Sequence, residues 1–159
     1  MRTTHIEDVA RKAALARLGM MVGEWEGTST VRVGPGPAQT SRVREAAGYR
    51  AGGELLVVEG RGTQEANGET RVVHDAFGAI SYDAATASYR MRSYRARKGW
   101  VDAVVVFDGP RVQWELESPA GPIRFTADFS EPARWIETGE IQRDGRWVEF
   151  LRMELDRVR

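Results

Sequence analysis

His74 is the residue of this chain best equipped for proton transfer or ligation. It lies in the run Val72-Val73-His74-Asp75-Ala76-Phe77, whose β-branched and aromatic residues predict a strand. An imidazole titrates near neutrality and serves as a general base or as a metal or haem ligand. One imidazole is poor grounds for zinc, which takes three or four protein ligands. Asp75 follows it directly, and neighbours in a strand point to opposite faces, so the two form no dyad. The plainer reading, a hydrogen-bonded polar residue in a sheet wall, is the one preferred. The other histidine, His5, stands beside a predicted helix start and reads as solvated.

Tyr49, Tyr82, Tyr89 and Tyr94 offer polar tips on aromatic bodies, suited to orienting a ligand oxygen inside an apolar cavity. Tyr89, Met91 and Ser93 share one face of a predicted strand, and Arg90, Arg92 and Tyr94 the other. The first set is the more apolar and is taken as inward. Glu59 and Arg61 share a face with Leu55 and Val57, and Glu137 and Gly139 share one with Trp135 and Ile141. Such charges either pair inside a cavity or form an exterior ladder across strands, the commoner arrangement. The chain has no Gly-x-Ser-x-Gly, phosphate loop or His-Glu-x-x-His pattern. It also has no cysteine, which removes thiol nucleophiles, disulfides and cysteine-based metal sites. No catalytic residue, metal or cofactor is assigned.

These residues need elements to hold them. A chain of 159 residues predicts one domain, 1–159. Its 23 basic and 23 acidic residues balance, which argues against a nucleic-acid surface and against a polybasic membrane patch. No apolar run approaches the ~20 residues of a spanning helix, and the charged N-terminus is unlike a signal peptide. The expectation is a cytoplasmic protein. Thr4 and Glu7 have capping-box spacing, and Ile6, Val9, Ala10, Ala13 and Met20 fall near one helical face, predicting a helix over 4–19 that stops at Gly19. Beyond it comes Gly23-Glu24-Trp25-Glu26-Gly27, and then only β-like runs. Asn67-Gly68, Asp108-Gly109 and Asp144-Gly145 are tight-turn signals between them. Val112, Trp114 and Leu116 alternate with polar residues, as do Ile123, Phe125, Ala127 and Phe129, and Val101, Ala103, Val105 and Phe107. Ten candidate strands in an open sheet would leave two long edges and an uncovered apolar face. The fold class expected is therefore mainly β. It is a single closed up-and-down antiparallel β-barrel of about ten strands over 23–156, with one N-terminal helix. Both faces of the strands between 39 and 64 are mixed, and their inward side stays open.

Three stretches carry a resemblance. They are Met20-Met21-Val22-Gly23-Glu24-Trp25-Glu26-Gly27, Ile80 to Tyr94 with its Tyr82-Asp83-Ala84 turn, and Trp135 to Glu140 followed by Arg143-Asp144-Gly145 and Trp147. In order and spacing the chain resembles the calycin-like β-barrels, most of all the bacterial DUF1579 family of unknown function, with lipocalin-like and nitrobindin-like barrels more distant. Ala84 stands where that family often has proline. The resemblance implies a barrel of roughly ten strands with a cavity. Nitrobindin-like barrels bind haem through a late histidine. No histidine follows residue 74 here, so haem is not carried over. Lipocalin-like barrels often pack an arginine of the last strand across such a tryptophan. Arg152 is the matching residue, with Arg157 second, and the pair Trp25 and Arg152 is read as a structural floor.

The function expected is non-enzymatic binding of a small, partly hydrophobic or amphipathic organic molecule. The candidate lining is His74, Tyr82, Tyr89, Met91, Phe107, Trp114 and Phe125. Two other readings stay open: an acid–base enzyme of isomerase or cyclase type using a cavity His, Tyr or Glu, and a ligand-free scaffold that self-associates as a homodimer. Nucleic acid and membrane are not expected partners.

Overall fold

Asp8 opens the first element. Its side chain accepts a hydrogen bond from the Arg11 backbone N–H at 3.0 Å and so caps α1 (Val9–Ala16). The computed structural model describes residues 8–159. The capping box expected from Thr4 and Glu7 lies outside them, as does His5. The packing face also differs from the one expected. Val9 is 73% exposed, whereas Leu15 and Leu18 are fully buried. The buried side chains come from the C-terminal end of the helix and the turn after it, so these select the packing face. Gly19 is not in the left-handed region; it opens a 3-10 turn, Gly19–Met21, which leads into the sheet.

Ten strands follow: β1 (Gly23–Val31), β2 (Gln39–Arg50), β3 (Leu55–Ala66), β4 (Glu69–Asp83), β5 (Ser88–Arg95), β6 (Gly99–Asp108), β7 (Arg111–Leu116), β8 (Ile123–Asp128), β9 (Arg134–Arg143) and β10 (Arg146–Arg157). Each pairs with the next in antiparallel fashion, and β1 pairs with β10, so the sheet closes as the alternation predicts. The Gly-x-Trp-x-Gly motif is part of β1 and not a preface to it. Asn67-Gly68 and Asp144-Gly145 both have positive φ at both residues, the geometry that tight hairpins demand. Among the described residues no helix is long and apolar enough to cross a membrane.

Register fixes which residues face inward. Trp25 pairs with Glu45, Glu45 with Gly60, and Gly60 with Ala76. Side chains alternate along each strand, so Trp25, Gly27 and Ser29 share the interior with Ser41, Val43, Glu45 and Ala47. The alternating residues Arg42 and Arg44 of β2, and Glu59 and Arg61 of β3, are outside. This settles the faces between 39 and 64. At Gly27 a Cβ would lie 2.0 Å from the Glu154 carbonyl oxygen, so only glycine lets β10 approach β1 this closely.

The helix closes one end. Tyr49 and Tyr89 donate from their hydroxyls to the backbone carbonyls of Leu15 and Ala14, each at 2.8 Å. Leu15 of the helix and, beneath it, Leu18, Met21, Trp25, Leu56, Ile80, Val112, Trp135 and Leu155 form the buried core. Toward the other end the inward side chains are less completely covered. Ser41, His74, Ser93, Trp114, Phe125 and Leu151 all keep accessible surface. Two irregularities fall in this half, at Gly62/Thr63 and at Glu149/Leu151.

Candidate functional site

Trp25 belongs to the sealed end. Its indole N–H donates to the Met21 carbonyl at 2.9 Å, and its ring meets Trp135 edge-on with centroids 5.7 Å apart. The cation across it is Arg157, 4.3 Å from the ring centroid. Arg157 also donates to the carbonyls of Met20 and Val22, tying the chain before β1 to the end of β10. The expectation of Arg152 is thereby corrected. Residue 152 is out of phase with inward Met153 and Leu155, and its guanidinium pairs with Glu154 at 2.8 Å and Glu149 at 3.6 Å on the outer wall. Arg157 is in phase with them.

The expected lining residues all lie on inward faces, but they divide between the two ends. Tyr82, Tyr89 and Phe107 belong to the plugged end. Tyr82 and Tyr89 meet edge-on at 5.1 Å, Tyr89 and Phe107 at 4.8 Å, and Arg17 of the helix segment lies over Phe107 at 4.4 Å. Met91 pairs with Ile80 and packs against the core. Trp114 and Phe125 stack at 5.6 Å in the opposite half, where Phe125 also meets Phe150 at 6.2 Å. His74 sits across from Gly62, next to the irregularity in β4. Partial burial and the nearby Arg95 charge push its pKa down, against a smaller upward push from Asp75. Asp75 itself points outward to Arg61, 3.4 Å away, so the absence of a His–Asp dyad follows from strand alternation.

A pair of carboxyl groups inside the barrel did not enter the expected site. Glu45 on β2 and Glu137 on β9 both face inward. Each carboxyl is surrounded by protein, while the residue as a whole keeps part of its surface accessible to water. The Glu45 carboxyl makes no hydrogen bond among the described residues. It occupies the space above Gly60, where a Cβ would come within 2.4 Å of it. Glu137 accepts a hydrogen bond from the Trp135 indole N–H at 3.2 Å. Desolvation, with the charge of Glu137 second, raises the Glu45 pKa to about 8. Desolvation raises that of Glu137 to about 7, against the pull of the Trp135 hydrogen bond. Near neutrality the two carboxyls together therefore carry less than two full charges.

Two concavities reach the surface. One of about 480 Å³ lies at the end opposite the helix, lined by His74 and Val72 with Arg95, Arg97 and Lys98, so this rim is basic. The other, about 790 Å³, lies on the outer wall across β1 to β5. Its charges are largely paired, as in Arg44 with Glu26 and Arg61 with Asp75. Among the described residues no group of three or more His, Asp or Glu could hold a metal ion.

The same architecture is found in a solved protein. The crystal structure of Rv2717c from M. tuberculosis superposes with a TM-score of 0.64 over 92% of this chain and 98% of that one. The fold is a closed ten-stranded antiparallel β-barrel. Identity between the two is 13%, so the likeness concerns the fold alone. No family model matches the sequence, and no curated protein matches it.

Proposed function

We propose that the barrel binds a small, partly hydrophobic organic molecule in its interior, on the side away from the helix. The observation that carries this reading is the state of Glu45 and Glu137: deep inside the wall, incompletely satisfied, and still accessible to water. A barrel packed solid would have no use for an unpartnered carboxyl, which costs free energy to bury. Trp114 and Phe125, with His74 nearer the rim, supply the mix of apolar surface and few polar groups that such pockets use. Tyr82, Tyr89 and Phe107 serve instead as packing beneath the helix. The three sequence stretches that resemble the DUF1579 family fit this reading, as does a cytoplasmic setting.

Native mass spectrometry of the protein as purified tests the proposal. A mass excess of a few hundred daltons that disappears on denaturation is expected, in the range of a pocket-sized ligand. A bare chain mass, together with no uptake of a hydrophobic fluorescent probe, would sink it. The same carboxyl pair favours a second reading, acid–base chemistry on a small substrate, because groups titrating near neutrality are suited to exchanging protons there. Under that reading Glu137 and Glu45 take the role that the sequence suggested for His74.

A further inference from the structure

We propose that Glu45 and Glu137 are the recognition point for a cationic nitrogen, so that the ligand is an organic amine and not a neutral or anionic molecule. The inference rests on interior binding, as proposed above, and adds the ligand's charge.

Three features of the site lead to it. The first is that the Glu45 carboxyl has no hydrogen-bond partner among the described residues. None of their arginines or lysines is paired with it, although the outer wall is rich in such pairs. Its place has been cleared by sequence, since residue 60 opposite it has no side chain and any Cβ there would collide with the carboxyl. The second is that Glu137 is held in orientation by the Trp135 N–H at 3.2 Å, which leaves its remaining acceptor capacity for something else. An ammonium has three donors to offer such acceptor oxygens, whereas an alcohol has one and a carboxylate none. The third is the apolar neighbourhood. Gly139 follows Glu137 on the same inward face, and the rings of Phe125 and Phe150 approach it so closely that a Cβ there would lie 3.1 Å and 3.0 Å from them. An amine docked on the carboxyls would rest its hydrocarbon body on these rings. With no third ligand within reach, among the described residues, a metal ion is the poorer fit.

The raised pKa values agree with this picture. An empty pair retains a proton near neutrality, and an ammonium supplies the positive charge in its place. The basic rim of Arg95, Arg97 and Lys98 does not contradict it, because those side chains are exposed and screened by water and salt.

The test compares three molecules of one shape on the full chain by calorimetry: phenethylamine, phenethyl alcohol and phenylacetate. The amine is expected to bind at least about tenfold more tightly than either of the others, the scale of a hydrogen bond to a charged group. Glu45→Gln and Glu137→Gln should each weaken the amine by about tenfold or more and leave the alcohol unchanged, which also shows that the interior is intact. Equal affinity for all three, or amine affinity indifferent to both substitutions, overturns the charge assignment while interior binding stands. Failure of the amine to bind overturns it as well. If the purified protein also carries no retained molecule and takes up no hydrophobic probe, the binding reading falls with it.

Discussion

A carboxyl group without a donor inside a barrel weakens the fold in proportion to its ionisation. Glu45 has its pKa raised in the folded state to about 8, from an ordinary 4.5 in the unfolded chain. Below the lower value both states are protonated and nothing is lost. As pH climbs from there to about 8 the unfolded chain sheds the proton first, so stability falls through that window and levels off above it. Each pKa unit corresponds to about 1.4 kcal/mol. Glu45→Gln should therefore raise the melting temperature by several degrees at about pH 9 and have little effect at about pH 4. Glu137→Gln should act in the same direction and less strongly, its own pKa being about 7. Thermal melts across this range check both, and a gain equal at all pH values would count against the assignment. The position of Glu45 was legible in principle. On β2 the alternate face carries Arg42, Arg44 and Arg50, which cannot all be inside, and this places Ser41, Val43, Glu45 and Ala47 within. Glu137 shares its face with Trp135 and Ile141 and was recognised as a candidate, but an exterior ladder was the commoner arrangement. What sequence does not reveal is that residues on β2 and β9, far apart in the chain, turn into the same interior, where the charge of Glu137 acts on Glu45.

Elements set how firmly this site is held. β1 and β10 approach so closely at Gly27 that an added methyl group would meet the Glu154 carbonyl carbon and oxygen. Because the obstacle is backbone, it cannot turn aside as a side chain would. Gly27→Ala is expected to cost at least about 2 kcal/mol, measured by denaturant unfolding. At the same seam, Arg157→Ala removes a cation over Trp25 and two hydrogen bonds to carbonyls. A loss of about 1–2 kcal/mol is expected. Arg152→Ala removes only exposed ion pairs and should fall within about 0.5 kcal/mol of the parent. A larger effect at Arg152 than at Arg157 would refute the assignment of the stacking cation. Strand existence was easily read here because turn residues and alternation coincide, as at Asn67-Gly68 and along Ile123 to Phe129. The phase of β10 was harder. It contains an irregularity at Glu149/Leu151, and inward Met153 and Leu155 had to be distinguished from outward Arg152 and Glu154 before the right arginine could be chosen. The packing face of the helix differs from the expected one because Leu15 and Leu18 at its C-terminal end are buried, whereas Val9 is exposed.

At the scale of the molecule, closure was predictable from the cost of leaving two sheet edges unpaired, and β1 does pair with β10. The division into a sealed half and a more open half was not, since it depends on where α1 comes to rest. Closure also bears on how the chain reaches this state. Nine of the ten strand pairings join neighbours in sequence, whereas the tenth brings Trp25 opposite Arg157. Local hairpins need to close only short loops, but that last pairing must gather nearly the whole chain, at a larger entropic cost. Ring closure is thus the expected late event in folding, with Trp25 reaching its final surroundings only then. In stopped-flow refolding, the fluorescence of a variant retaining Trp25 as its sole tryptophan should lag behind the far-ultraviolet signal of strand formation. Simultaneous signals would mean that the ring forms in one concerted step.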